Sequence, residues 1–259
     1  FYYDSTVSIH NSTIANNYSS RIGGGIYLGC IKSFEVVNSK VLDNSGGGIS
    51  HNCYGRYNAT VIRDSLIKGN TAFTGAGLEV HNGVILTMTN TIVEANTASS
   101  SGGGIWLDGT FDISNSQIIS NTSGGHGGGG GGIYVHSSTG NGSVHDSNIS
   151  YNRTAKEESG GRGGGILNWG NLAIHNSTVT NNTTDGEGGG IGAFSGTLEI
   201  VDSTIANNHS TGANFSWGGG VFAGFGAQAT IRGTVVSDNQ AMHGGGIYAN
   251  NIVTLIETA

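Results

Sequence analysis

The chain has 259 residues, of which 48 are Gly and none is Pro, a combination that excludes collagen and the common Pro-containing linkers. Its formal net charge is −7, and its ten Lys and Arg residues are scattered. This argues against nucleic acid as the main partner, because phosphate binding needs clustered cations. No apolar run is long enough for a membrane-spanning helix.

The first recurring element in chain order is "NSTIANN" at 11–17, which returns almost unchanged as "DSTIANN" at 202–208. The phrase generalises to Asn, Asp or Gly, then Ser or Thr, any residue, Ile or Val, two further residues and Asn. Over eight steps of 25–31 residues the repeat has a mean period of about 28. Its nine copies end at Asn17, Asn44, Asn70, Asn96, Asn121, Asn152, Asn182, Asn208 and Asn239.

Two further elements alternate with this phrase. One is Gly-Gly-Gly-Ile or its variants, as in "GGGIY" at 23–27, and the other alternates apolar and polar residues, as in "FDISN" at 111–115. Alternation over so few residues is typical of short half-buried strands. The sequence therefore predicts an all-β, right-handed parallel β-helix of about nine coils with three short strands each. We expect one repeat domain over 1–259, roughly 40 Å long at the spacing of paired strands.

The phrase itself predicts side-chain directions. Strict alternation breaks before Ser203, so the chain bends there, and Ser203 and Ile205 face inward together. The final Asn of each copy then stacks on its equivalents, because an amide carries both donors and acceptors. The Gly triplets mark bends where stacked coils leave no room for Cβ.

The two phrases resemble the repeats of the chlamydial polymorphic outer-membrane proteins, which alternate Gly-Gly-Ala-[Ile/Leu/Val] with Phe-x-x-Asn. The matching positions here read "GGGI" at 23–26 and "IANN" at 14–17, and the resemblance covers all nine units. Gly replaces the family's Ala, and Ile or Val replaces its Phe. The resemblance implies an extracellular adhesive passenger and brings no catalytic residues with it.

The two cysteines, Cys30 and Cys53, each follow an Ile of the Gly phrase by four residues, which puts them in register on adjacent coils. Stacked Cα atoms about 5 Å apart lie within disulfide range. A disulfide would indicate an oxidising, extracellular setting, and the alternative is two free thiols in a polar turn. The 12 glycosylation sequons include Asn58, Asn141 and Asn214, although a chain rich in Asn, Ser and Thr also produces sequons by accident.

The residue after each Gly-phrase Ile should point outward. Five of the nine are aromatic and would form a stripe suited to a glycan or protein partner: Tyr27, Trp106, Tyr134, Phe222 and Tyr248. Phe215 and Trp217, in the insertion at 209–217, are the most ligand-like loop residues. The alternative is that strand propensity enriches aromatic residues and that loops cover them.

The pattern offers little for catalysis. Asp64, Asp146 and Asp202 occupy the bend position on non-adjacent coils, so no acid–base pair is evident. His145 and His175 stack on adjacent coils, which is weak evidence for a metal site. We expect no enzyme activity, no metal and no cofactor. The exposed row beside the phrase is not a regular Thr array, which argues against ice binding: Thr13, Lys40, Leu66, Ile92, Gln117, Asn148, Thr178, Thr204 and Val235.

Polar caps are not evident at either end of the repeat, so we expect both ends to be uncapped. Two interpretations fit: the chain is a segment of a longer array, or subunits stack end to end as filaments. Together these features predict an extracellular structural or adhesive protein of a microbial cell surface. Its expected partners are further copies of itself and surface glycans or a host or neighbouring cell surface. The alternative function is a carbohydrate-binding or polysaccharide-cleaving β-helix module.

Overall fold

The computed structural model describes residues 5–53, 58–81, 83–124, 128–136, 140–155, 160–213 and 216–257. Within these ranges the chain forms strands and turns and no helix. Three parallel sheets of 17, 9 and 6 strands wind into a β-solenoid of about nine turns. This confirms the fold class predicted from the repeat.

Each coil starts with a strand that follows the Gly triplet, here named the glycine strand. The glycine strands are Ile26–Leu28, Ile49–His51, Leu78–Val80, Ile105–Leu107, Ile133–Val135, Ile166–Asn168, the first part of Ile191–Val201, the first part of Val221–Arg232, and Ile247–Ala249. The middle strands follow: Thr6–His10, Ser33–Val37, Asn58–Arg63, Val84–Thr89, Thr110–Ser114, Asn141–His145, Asn171–His175, the later parts of Ile191–Val201 and Val221–Arg232, and Val253–Ile256. Both sets belong to the 17-stranded sheet, because Ile191–Val201 and Val221–Arg232 run through both without a break.

The repeated Ser phrase forms the nine-stranded sheet. Its serine strands are Thr13–Ala15, Lys40–Leu42, Leu66–Lys68, Ile92–Glu94, Gln117–Ile119, Asn148–Ser150, Thr178–Thr180, Thr204–Ala206 and Val235–Ser237. The Asn that ends each copy of the Ser phrase is here called the ladder Asn. After it, the structure adds a two-residue strand in six coils: Thr71–Ala72, Thr97–Ala98, Thr122–Ser123, Arg153–Thr154, Thr183–Thr184 and His209–Ser210. Two residues are too short to show an alternating pattern, so the sequence carried no signal for it.

Left-handed backbone bends flank every serine strand. The bend before it has φ between 45° and 57° and is occupied by Asn, Asp or one Gly: Asn11, Asn38, Asp64, Asn90, Asn115, Asp146, Asn176, Asp202 and Gly233. Asn, Asp and Gly are the residues that tolerate this conformation best. The Ser or Thr that follows is buried in every coil after that of the exposed Ser12, and its hydroxyl accepts a hydrogen bond from the backbone of the previous coil, as from Ser116 N to Ser147 Oγ at 3.0 Å.

The Gly triplets close the coil on the opposite side. Gly102 has a φ of +64°, and a Cβ on Gly104 would lie 2.7 Å from the Gly132 carbonyl oxygen of the next coil. A side chain at Gly102 would be strained by the left-handed backbone, and one at Gly104 would push the stacked coils apart. Inside, stacked Ile, Leu, Val and Phe side chains form one continuous buried core from Leu28 to Ile231.

Candidate functional site

The ladder asparagines form one hydrogen-bonded column inside the solenoid. Asn121 Nδ2 donates to the Val93 carbonyl at 2.9 Å and to Asn152 Oδ1 at 3.0 Å. Its own Oδ1 accepts from the backbone N and from Nδ2 of Asn96, both at 3.0 Å. The same pattern links each member from Asn17 to Asn239, and the seven central members are buried. Their amides are saturated by protein, so the column provides no ligand surface.

The disulfide predicted from register is present: Cys30 and Cys53 are bonded, with Cα atoms 4.7 Å apart. Among the candidate glycosylation residues, Asn58 is buried, with 5% of its surface exposed, whereas Asn141 is exposed at the start of its strand. Only Asn141 of these two presents its amide to solvent. Asn214 lies outside the described residues.

The predicted aromatic stripe is in register but is not continuous. Tyr27 is 52% exposed and is separated from Trp106 by Ser50 and Glu79, which are buried. Trp106 and Tyr134 follow on adjacent coils, and Leu167 and Gly192 then interrupt the column. Phe222 is only 3% exposed, and Tyr248 above it is half-buried. Trp217 is half-buried near this end, and Phe215 lies outside the described residues.

A second column, two residues further along each glycine strand, covers the first. His81 and His136 lie on either side of Trp106, with ring centroids 4.9 Å and 5.0 Å from the indole. Tyr134 contacts both Trp106 and His136 edge-on. The four rings therefore form a compact cluster spanning three coils.

Two carboxylates hold the imidazoles of this cluster. Glu79 Oε2 lies 3.6 Å from His81 Nε2, and Asp108 Oδ1 lies 3.3 Å from His136 Nδ1. Burial by itself would raise the pKa of Glu79, but the nearby His81 imidazole and hydrogen bonds from Thr74 and Ser50 together lower it below its usual value. Glu79 is thus an ionised, fully partnered group, which suits a structural or positioning role better than proton donation.

A second aromatic cluster begins on the next coil. Trp169, Phe194, Phe222 and Tyr248 stack in sequence with centroid separations of 5.1, 5.0 and 5.7 Å, and Trp217 stacks on Tyr248 at 5.9 Å. We use the term aromatic strip for the two clusters and the arginine between them: His81, Trp106, Tyr134, His136, Arg162, Trp169, Phe194, Trp217, Phe222 and Tyr248.

Arg162 links the two clusters. Its guanidinium lies 4.8 Å from the Phe194 ring centroid and 5.9 Å from that of Trp169, and its Nε donates to Glu187 at 3.0 Å. Toward the first cluster, Arg162 acts on Tyr134. Burial raises the pKa of the Tyr134 phenol, and the positive charge of Arg162 opposes that rise. Arg162 therefore interacts with rings of both clusters, on the coils before and after it.

The stacking determines which parts of the rings a partner can reach. Trp169–Phe194 and Phe222–Tyr248 lie nearly parallel, at 22° and 8°, and Phe194–Phe222 is tilted at 39°, so these rings largely cover each other's faces. Trp106 has an imidazole close to either side. Phe222 is buried and the other rings of the strip are half-buried, so with their faces covered they offer a partner mainly ring edges and polar tips.

The sequence pattern identified only part of this strip. His81, His136, Trp169, Phe194 and Arg162 were not singled out. A signal existed for four of them, because His81, His136, Trp169 and Phe194 each follow the predicted outward position by two residues and so share its face. Arg162 instead directly precedes a Gly triplet, where its backbone pairs with Glu187, and the pattern did not mark that position.

A separate polar cluster lies at the bend before the serine strand. His145 Nδ1 lies 2.9 Å from Asp146 Oδ2, and its Nε2 lies 3.2 Å from Asp112 Oδ1. The hydrogen bond to Asp146 is the main reason that the pKa of His145 is raised, and the same contact lowers the pKa of Asp146. His175 pairs with His145 in register on the next coil. In the described ranges, no group of three or more His, Cys, Asp or Glu side chains is arranged to hold a metal ion.

No family model, curated protein or solved structure matches the chain. In the part of the chain that the structure describes, no helix has the length and apolarity needed to cross a membrane.

Proposed function

We propose that the chain is an extracellular structural or adhesive β-solenoid of a microbial cell surface, and that the aromatic strip is the surface that holds a partner protein. The observation that carries this proposal is the strip itself: a row of stacked aromatic rings joined by Arg162, all of them half-exposed except the buried Phe222. Trp, Tyr and Arg are the residues that dominate binding energy at protein interfaces.

The ring geometry favours a protein partner over a sugar at this surface. A sugar ring stacks on an open aromatic face, whereas the rings of the strip cover one another's faces. Their exposed edges, together with the imidazole and phenol tips, instead suit a surface that combines apolar contact with hydrogen bonds. The disulfide between Cys30 and Cys53 supports an oxidising, extracellular setting.

Kinship with the chlamydial polymorphic outer-membrane proteins is part of the proposal. It is supported by the alternation of the Gly phrase with the Ser phrase, which ends in the ladder Asn, through all nine units. In this solenoid both motifs serve stacking: Gly104 makes room for the next coil, and Asn121 bonds to it. End-to-end assembly of subunits stays a prediction.

The test is adhesion of polystyrene beads coated with the chain to intact cells that have been treated with protease or with periodate. We expect the beads to bind untreated and periodate-treated cells and to lose binding after protease. Trp106→Ala and Trp169→Ala should each reduce bead retention at least tenfold, which corresponds to about 1.4 kcal/mol. Tyr18→Ala is the matched control, because Tyr18 is 78% exposed and lies outside the strip.

Circular dichroism and thermal unfolding of each variant separate lost binding from lost fold. The proposal fails if folded Trp106→Ala and Trp169→Ala chains retain beads as well as the parent does. It also fails if periodate, and not protease, abolishes retention.

A further inference from the structure

We propose a second binding site, for an uncharged, linear, hydroxyl-rich polysaccharide, in a cleft along the bend between the middle and serine strands. This bend cleft is formed by two adjoining cavities of about 330 Å³ and about 480 Å³, which share Asn115 and Gln117. It runs from Asn38 to Thr178 and so crosses six successive coils. Its position is separate from the aromatic strip, and the proposal does not depend on the function assigned to that strip.

One wall of the cleft is the row of Asn and Asp side chains at the left-handed bend. Three pairs on consecutive coils are bonded in the same direction: Asn38 to Asn11, Asn90 to Asp64, and Asn176 to Asp146. Each Asn donates one N–H to the oxygen of the preceding coil, which leaves its second N–H and its own oxygen for another partner.

The row is interrupted where the two cavities meet. Asn115 is followed on the next coil by Asp146, an ionised carboxylate that has no proton to donate to the Asn115 oxygen. Among the described residues, neither the Asn115 nor the Gln117 side chain has a hydrogen-bond partner, and both are exposed. The middle of the cleft therefore presents two amides whose donors and acceptors are available to a ligand.

The floor of the cleft mixes apolar and polar side chains from the first position of each serine strand. Leu66 and Ile92 are half-buried there, and Gln117, Asn148 and Thr178 continue the row. A sugar ring has this same mixed character, with apolar C–H groups and hydroxyls that both donate and accept. Amide side chains match such hydroxyls better than charged groups do, because they also do both.

The spacing favours a polysaccharide over an extended peptide. An Asn or Asp side chain recurs at the bend once per coil at the spacing of paired strands, about 4.8 Å, whereas an extended peptide advances about 3.3 Å per residue. The pyranose unit of an extended polysaccharide has a length close to the coil spacing. Successive sugars could therefore meet equivalent side chains on successive coils.

The charges in the cleft argue for a neutral polymer. Lys40 is the one cation among the lining residues, and Asp64 and Asp146 are the acids. Both acids already have partners, since Asp64 accepts from Asn90 and lies 3.7 Å from Arg63, and Asp146 binds His145 and Asn176. An acidic polysaccharide would be repelled by two carboxylates and attracted by one lysine.

The test is affinity electrophoresis and titration calorimetry of the intact chain with soluble β-glucan and galactomannan as neutral probes and alginate and polygalacturonate as acidic probes. The double variant Asn115→Gly and Gln117→Thr removes both central amides. Gly suits the left-handed backbone at 115, where φ is 47°, and Thr suits a strand. Gln228→Thr is the matched control, because Gln228 is exposed on a middle strand outside the cleft.

We expect at least one neutral polymer to bind the parent chain and the Gln228→Thr variant equally, and the double variant to bind at least tenfold more weakly while unfolding at a similar temperature. Binding of no neutral polymer, tighter binding of the acidic polymers, or unchanged affinity in the double variant overturns the proposal. Loss of neutral-polymer binding in Trp106→Ala with the double variant unaffected would also overturn it, because that result moves the sugar to the aromatic strip.

Discussion

Replacing Asn121 by Ala would open a gap in the middle of the buried amide column. The substitution removes four side-chain hydrogen bonds: two donated to Val93 and Asn152 and two accepted from Asn96. The Asn96 backbone N–H then faces a buried site with no acceptor, because Asn121 Oδ1 is its partner in the intact chain.

The magnitude follows from these bonds. An orphaned buried amide costs about 1–3 kcal/mol, and each of the other three bonds contributes about 1 kcal/mol net. Asn121→Ala should therefore lower the free energy of unfolding by about 5 kcal/mol, which corresponds to a midpoint about 10–20 °C lower for a chain of this size. Asn17→Ala is the matched control: it removes the exposed first member of the column, where water replaces the lost bonds, and should cost less than about 1 kcal/mol.

Asn121→Asp tests the same reasoning through pH. The carboxylate keeps the bonds from Asn96 but cannot donate to Val93 or Asn152, so its charged form is disfavoured and its folded-state pKa is raised. A raised carboxyl pKa means that the folded state binds the proton more strongly than the unfolded state does. The variant should therefore lose stability relative to the parent as pH rises above about 4, the ordinary Asp pKa.

The assay is urea unfolding followed by circular dichroism between pH 4 and pH 7. A cost below about 1 kcal/mol for Asn121→Ala would refute the buried column as a major source of stability, since it is smaller than one orphaned donor. A deficit for Asn121→Asp that does not grow from pH 4 to pH 7 would refute the charge argument.

Two further predictions concern stability. Burial lowers the pKa of His51 from 6.5 to about 4, so the stability linked to its neutral form is present above pH 6.5 and is lost as pH falls toward 4, by at most about 3 kcal/mol. His51→Gln should reduce the acid sensitivity of urea unfolding by that amount, and parallel pH profiles for the two proteins would contradict the assignment. Tyr151 has a φ of 56° and is 64% exposed, and Asn181 and Asn207 hold the equivalent bend on the next coils. Tyr151→Asn should raise the free energy of unfolding by about 0.5–1 kcal/mol and Tyr151→Val should lower it; a destabilised Asn variant would show that the tyrosine ring has a packing role.

Much of the fold could be predicted from sequence because each coil repeats the same three short sequence elements. A side chain that stacks on the equivalent side chain of the next coil recurs at a fixed position of the repeat. The Ser phrase and the Gly phrase therefore define the register between coils. The same register puts Cys30 and Cys53 one above the other, and the observed disulfide confirms that step. The short strand after the ladder Asn could not be predicted, because two residues are too few to show a period.

The candidate sites were less predictable, because they depend on what lies between coils. The Trp106 column was visible as a row of outward positions, but the half-burial of Trp106 results from His81 and His136 on neighbouring coils. The burial of Phe222 likewise results from Phe194 and Tyr248. No single repeat contains these pairs, and the insertions that vary from coil to coil alter which residues meet.

The sequence by itself determined the period, the parallel stacking, the interior amide and hydroxyl columns and the disulfide, because each of these is a contact between equivalent positions. Only the tertiary structure decided which surface a partner can use. In that structure the faces of the aromatic rings lie against one another, and Asn58 is buried whereas Asn141 is exposed. Asn115 lies at the centre of an open cleft. Those outcomes depend on which side chains meet between neighbouring coils and on the angle at which two strands meet, and neither can be read from a single repeat.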